Sequence, residues 1–111
     1  ALASECIAEQ LGSDGFWQFA DEVFSEQSKM NAAVYATIAA RLGANLDQFN
    51  SCLESEKYAE TVDMQSAEAQ TNGGSGTPYT VVYTAQDQVP LNGALPYEQI
   101  NAVITKLQER L

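Results

Sequence analysis

Apolar residues recur at three- and four-residue intervals through the first two-thirds of the chain, which predicts a succession of helices. In ALASECIAEQLG, Leu2, Cys6, Ile7 and Leu11 share a face, and Gly12 closes the segment. SDGFWQFADEVFSEQ follows, with Ser13 or Asp14 as cap and Phe16, Phe19, Ala20, Val23 and Phe24 on one stripe. Trp17 lies beside that stripe. Asn31 caps NAAVYATIAARLG, in which Val34, Ile38 and Leu42 repeat at i+4 before Gly43 ends the helix. NLDQFNSCLES is a short helix with Leu46, Phe49 and Leu53 facing inward and Cys52 beside Leu53. A further helix starts at Ser55, carries Tyr58, Val62, Gln65 and Ala69 on one side, and ends at Asn72-Gly73.

Beyond the glycine-rich stretch NGGSG the period changes. YTVVYT, Tyr79 to Thr84, is β-branched and aromatic and predicts a strand. AQDQ is a turn, and VPL is a short second strand whose Pro90 suits a sheet edge. Pro96 fits the first turn of a closing helix with an apolar stripe of Tyr97, Ile100, Val103, Ile104, Leu107 and Leu111. The pattern is α+β and predominantly helical, divided into a helical part over residues 1–75 and a hairpin-plus-helix part over residues 76–111. A two-stranded hairpin is marginal alone, and no other segment reads as a strand.

Composition narrows the function. The 111 residues hold five Lys+Arg against fifteen Asp+Glu, a net charge of −10. No basic patch is long enough to follow a phosphate backbone, and the charge opposes docking on anionic lipid, so neither nucleic acid nor a membrane surface is an expected partner. No apolar run has the length of a membrane span. The sequence starts at Ala1 inside helical pattern, as expected of a chain whose leader was removed or of a piece of something longer.

The chemistry-bearing residues are few. Cys6 and Cys52 lie too far apart in sequence for a CxxC redox pair or a local metal site, and there is no histidine, so neither a metal nor a cofactor is expected. The two read either as separate buried thiols or as one structural disulfide of an oxidising compartment. Both sit in apolar helical pattern without a basic neighbour to activate a thiol. The aromatic group Phe16, Trp17, Phe19 and Phe24 reads as core rather than as a peptide-binding groove, with only Trp17 inviting partial exposure. Glu5, Glu9, Asp21 and Glu22 read as solvated helix faces. NGGSG lacks the Lys-[Ser/Thr] of a phosphate loop and leads into a strand. Taken alone, Pro78 is an ordinary trans proline at the head of an edge strand.

Four segments in series resemble one family. ECIAEQLGSDGFWQFADEVF is similar to the cysteine-containing helix and F-W-x-[YF]-x-D-x-x-F helix of DsbA-like thiol–disulfide oxidoreductases. LDQFNSCLES resembles that family's F-N-x-C-L helix. SGTP before a strand resembles its cis-proline loop, and LNGALPYEQINAVI its closing G-x-x-P-Y-E hairpin and helix. Order and spacing fit over essentially the whole chain. Ala20 departs from the pattern, standing where many relatives carry a histidine.

The resemblance implies a thioredoxin fold interrupted by a helical insertion. Residues 1–75 would be the insertion, and residues 76–111 the second thioredoxin half: cis-Pro loop, β-hairpin and last helix. The catalytic Cys-x-x-Cys would lie upstream of these residues, so the chain alone is expected to have no dithiol activity. The resemblance further implies a cis Thr77-Pro78 bond, with Thr77 and Pro78 binding extended or unfolded protein substrates by strand addition. It implies a structural disulfide between Cys6 and Cys52; closing a loop of about 47 residues contributes roughly 4 kcal/mol. A periplasmic or otherwise extracytoplasmic location follows from the same family.

In a thioredoxin-like sheet both faces of the Tyr79–Thr84 strand are covered. Without its other strands an edge stays open, and a homo-oligomer through that edge is expected. Two alternatives stand beside the oxidoreductase portion: a non-catalytic peptide-binding or scaffold module of thioredoxin-like ancestry, and a fragment left by truncation or proteolysis.

Overall fold

The structure is a computed structural model that describes residues 1–111. Five helices and two strands follow in the order α1 (Leu2–Ser25), α2 (Ala32–Arg41), α3 (Leu46–Glu54), α4 (Ala59–Thr71), β1 (Tyr79–Tyr83), β2 (Gln88–Asn92) and α5 (Tyr97–Glu109), with a 3-10 turn at Gln27–Lys29 after α1. The fold is thus predominantly helical α+β. The chain forms two compact units, Ala1–Met64 and Gln65–Leu111. The division falls inside α4, whose end is tied to the start of β1 by the Tyr79 hydroxyl on Asn72 O.

In the first unit, α1 is interrupted at Gly12, whose φ of 70° and ψ of −164° are non-helical. That backbone is open to glycine and strained for any other residue, so the periodic segments on either side pack as two helices. The core they build holds Cys6, Ile7, Phe19, Ile38, Ala39, Phe49 and Cys52, with Leu11, Val34, Leu53 and Tyr58 packed around it. Phe19 is its aromatic hub, with ring centroids 6.3 Å from Tyr35 and 6.4 Å from Phe49.

Local signals place the ends of these helices. Asn31 Oδ1 accepts from Val34 N at 3.0 Å and Asn45 Oδ1 from Gln48 N at 2.9 Å, so each asparagine satisfies an orphan donor of its helix. Asn45 also holds α3 against α1: Gln10 donates from Nε2 to Asn45 O at 3.0 Å and accepts from Asn45 N at 2.7 Å. Helix α2 closes with paired bonds from Gly43 N to Ala40 O and from Ala44 N to Ala39 O, both 3.0 Å. Helix α3 closes the same way, Glu56 N to Leu53 O at 3.1 Å and Lys57 N to Cys52 O at 3.3 Å. Each pair is a Schellman closure. The second requires a positive φ of 52° at Glu56, and it delays the start of α4 to Ala59 rather than Ser55. Arg41 donates to Glu22 Oε1 at 2.7 Å, a bond that raises the guanidinium pKa further above its ordinary value. Lys57 pairs with Glu9.

Some apolar positions end up outside the core. Leu46 is exposed although it shares a stripe with buried Phe49, and Trp17 and Phe24 are 63% and 70% exposed. A helix stripe is buried only as far as neighbours exist to cover it, and α2 and α3 reach Phe19 but not those two rings.

In the second unit, β1 and β2 pair antiparallel, with Tyr79 opposite Asn92, Val81 opposite Pro90 and Tyr83 opposite Gln88. Thr84 shapes the turn: its Oγ1 accepts from Gln86 N at 3.2 Å and Asp87 N at 3.0 Å, and its N–H donates to Asp87 O at 2.8 Å. Helix α5 covers part of the hairpin through buried Leu107 and half-buried Ile100 and Val103, and Arg110 pairs with Asp87 at 3.3 Å. Tyr97 and Leu111 of the same stripe are exposed. No residue of β1 is fully buried, because the sheet has two strands and both outer edges are unpaired.

Candidate functional site

The candidate site is the loop that joins α4 to β1, and its shape begins with how α4 stops. Gly73 N donates to Gln70 O at 3.0 Å and Gly74 N to Ala69 O at 2.8 Å, a third Schellman closure, with Gly73 at a φ of 97°. Tyr79, the first residue of β1, turns its ring back onto this cap and donates from its hydroxyl to Asn72 O. The close approach explains the double glycine. A Cβ on Gly73 would lie 2.9 Å from the Tyr79 hydroxyl oxygen; one on Gly74 would lie 3.0 Å from Ala69 O and 3.1 Å from the Tyr79 ring. Gly76 has no atom within 4 Å of such a Cβ, so its space is open.

From the other side, Pro78 O accepts from Gly93 N at 3.0 Å, which fastens the loop to the end of β2. The Thr77-Pro78 peptide bond is cis. Thr77 and Pro78 are both exposed, and the Thr77 N–H and C=O have no intramolecular hydrogen-bond partner. Proline supplies no donor at its own position. The loop therefore presents unpaired main-chain groups of one residue on a backbone held at both ends. Beside it a hollow of about 500 Å³ runs between the end of α4 and the hairpin, lined by Glu68, Asn72, Tyr79, Val81 and Pro90.

Sequence reasoning singled out Thr77 and Pro78 but not the residues that hold them. Tyr79 reads as one more strand residue, and Gly93 as a turn glycine. The available signal is a tyrosine directly after Thr-Pro and a few residues after Asn-Gly-Gly, a spacing that lets the ring fold back on the cap.

Cys6 and Cys52 are bonded to each other in the core of the first unit, with Sγ–Sγ 2.05 Å and Cα–Cα 5.9 Å, and no free cysteine is left. No cluster of three or more His, Cys, Asp or Glu converges as a metal site would require. Residues 1–111 thus hold a disulfide cross-link in the first unit and an exposed Thr77-Pro78 loop in the second.

Comparison with curated proteins and with solved structures gave no match. The family model described as DSBA-like thioredoxin domain matches residues 6–105, a span that takes in both cysteine-bearing helices, the Thr77-Pro78 loop and the hairpin. The chain therefore belongs to the family of DSBA-like thioredoxin domains.

Proposed function

We propose that this chain is the substrate-presenting portion of a DsbA-like protein thiol–disulfide oxidoreductase, with residues 1–75 as helical insertion and residues 76–111 as the second thioredoxin half. The observation that carries the reading is the Thr77-Pro78 loop: exposed, fastened through Tyr79 and Gly93, and offering the free N–H and C=O of Thr77. An extended polypeptide pairs with such groups by strand addition, which is insensitive to side-chain sequence and suits a catalyst of many protein substrates. Dithiol exchange needs a thiolate and a resolving partner. Cys6 and Cys52 are committed to each other, so in this reading the Cys-x-x-Cys is supplied from outside residues 1–111. The cross-link favours a periplasmic or other oxidising compartment. No helix is long and apolar enough to cross a membrane. The unpaired sheet edges favour association of the hairpin with another strand, from a partner or a second copy.

A non-catalytic peptide-binding module is the second reading, favoured by the absence of a free thiol. Two measurements test the function. Insulin reduction by this polypeptide should stay at background; turnover that depends on Cys6 or Cys52 would overturn the role given to them. An unfolded peptide should shift the Thr77 amide resonance, and the same peptide N-methylated at alternate amides should not. Equal binding of both peptides would exclude strand addition at Thr77. Binding by the chain, followed by dithiol activity once a Cys-x-x-Cys segment is supplied, separates the oxidoreductase from the module.

A further inference from the structure

The first unit carries a second surface, unrelated to the Thr77-Pro78 loop. Along one side of α1 runs a groove of about 680 Å³, larger than the hollow beside the hairpin, lined chiefly by Phe16, Trp17, Val23, Phe24, Tyr35 and Leu53. Phe16 and Trp17 form an edge-to-face pair with centroids 5.1 Å apart. Phe19 beneath them is buried in the core, whereas Trp17 and Phe24 stand 63% and 70% exposed. Isolated exposed apolar residues mean little, but two large rings flanking one apolar groove are a contiguous patch of the kind that interaction sites present.

The charged residues next to the groove are mostly acidic, with Arg41 beside them through its pair with Glu22. Glu5, Asp21, Glu22 and Glu54 directly adjoin lining residues in sequence. The unit as a whole has eleven acidic against three basic side chains, a net charge of −8. Of those three cations, Arg41 is paired with Glu22 and Lys57 with Glu9, leaving Lys29. A second copy seated face to face would set one acidic rim against another, and anionic lipid would be repelled in the same way. The complementary occupant has apolar anchors to fill the groove and positive charge at its margins.

We infer that the α1 groove is a docking site for a basic, amphipathic polypeptide segment, with Trp17 and Phe24 as apolar anchors and the acidic rim selecting Lys or Arg beside them. Such a site recognises side chains and charge, unlike main-chain pairing at Thr77, so the two surfaces are separable by experiment.

Trp17 is the only tryptophan in the chain, so its emission reports the groove directly. The full chain is titrated with an amphipathic leucine–lysine peptide and with its leucine–glutamate counterpart. Expected is a saturable blue shift with the lysine peptide only, its Kd rising about tenfold or more between roughly 50 and 300 mM salt. Phe24→Ser, at an exposed position, should weaken binding about tenfold with far-UV circular dichroism unchanged. Asp21→Lys, which reverses one rim charge, should weaken it about threefold. No saturable shift, or equal binding of the glutamate peptide, would overturn the site. Unchanged affinity in Phe24→Ser would reduce it to charge adhesion. A blue shift on concentrating the protein alone would make a second copy the occupant instead.

Discussion

Removing the Cys6–Cys52 cross-link is the perturbation with the largest consequence for stability. The bond closes a loop between residues separated by 46 positions and ties α1 to α3 at the centre of the first unit, where Cys6 is 1% and Cys52 5% exposed. In the chain-entropy account a loop of that length contributes about 4 kcal/mol by restricting the unfolded ensemble. By comparison, an asparagine cap contributes about 1 kcal/mol and an exposed ion pair roughly 0.2–1 kcal/mol. Against a typical net stability of about 5–15 kcal/mol, the cross-link is a large part of the margin. The assay is guanidinium unfolding followed by Trp17 emission, with the oxidised protein, the reduced protein and the double variant Cys6→Ala/Cys52→Ala. With an m-value of about 3 kcal/mol/M, the midpoint should fall by roughly 1.3 M. Intact mass should rise by two hydrogens on reduction. A midpoint shift below roughly 0.3 M in both the reduced protein and the double variant would refute the reasoning, since the helices would then hold the unit without the loop constraint.

Three smaller perturbations test the local structure. Asn45→Ala removes the cap of α3 and should cost about 1 kcal/mol in the same unfolding experiment; an unchanged midpoint would mean that the Gln10 bonds to the Asn45 backbone suffice to hold the helix start. Glu56→Gly relieves the positive φ at the end of α3 and should raise stability by about 0.5 kcal/mol, the gain being offset in part by the greater freedom of glycine in the unfolded chain; a loss would show that the Glu56 side chain stabilises more than its backbone costs. Gly74→Ala forces a methyl against Ala69 O and the Tyr79 ring and should cost about 1–3 kcal/mol, visible as lost hydrogen-exchange protection at the end of α4; retained protection would mean that the tyrosine swings aside at no cost.

Much of the local structure was legible in the residues. Asn31 as a cap, Gly12, Gly43 and Gly73 as helix ends, and the change of period after the glycines are each decided within a few residues, because capping and backbone conformation depend on immediate neighbours. The hairpin around AQDQ is equally local. Thr77 and Pro78 stand out as a candidate pair only through the resemblance of SGTP and its surroundings, since a proline ahead of a strand is ambiguous by itself. Residues that support the loop from a distance were not legible: nothing in the pattern marks the Tyr79 hydroxyl for the Asn72 carbonyl, or Gly93 N–H for the Pro78 carbonyl.

Burial was the least legible property. Helical periodicity states which positions share a face and leaves open whether anything lies opposite. Phe16, Phe19 and Phe24 share one stripe, yet α2 and α3 bury only Phe19 and leave Phe24 to the groove. Half of the α5 stripe likewise stays outside, because a hairpin of two short strands cannot cover it. By itself, then, the sequence determined the helices, the hairpin and the Thr-Pro loop, all set by short-range chemistry, while the family came through the resemblance of its motifs. Tertiary structure alone decided which aromatic rings became core and which became surface, and how the loop is held, because both depend on groups distant in the chain meeting in space.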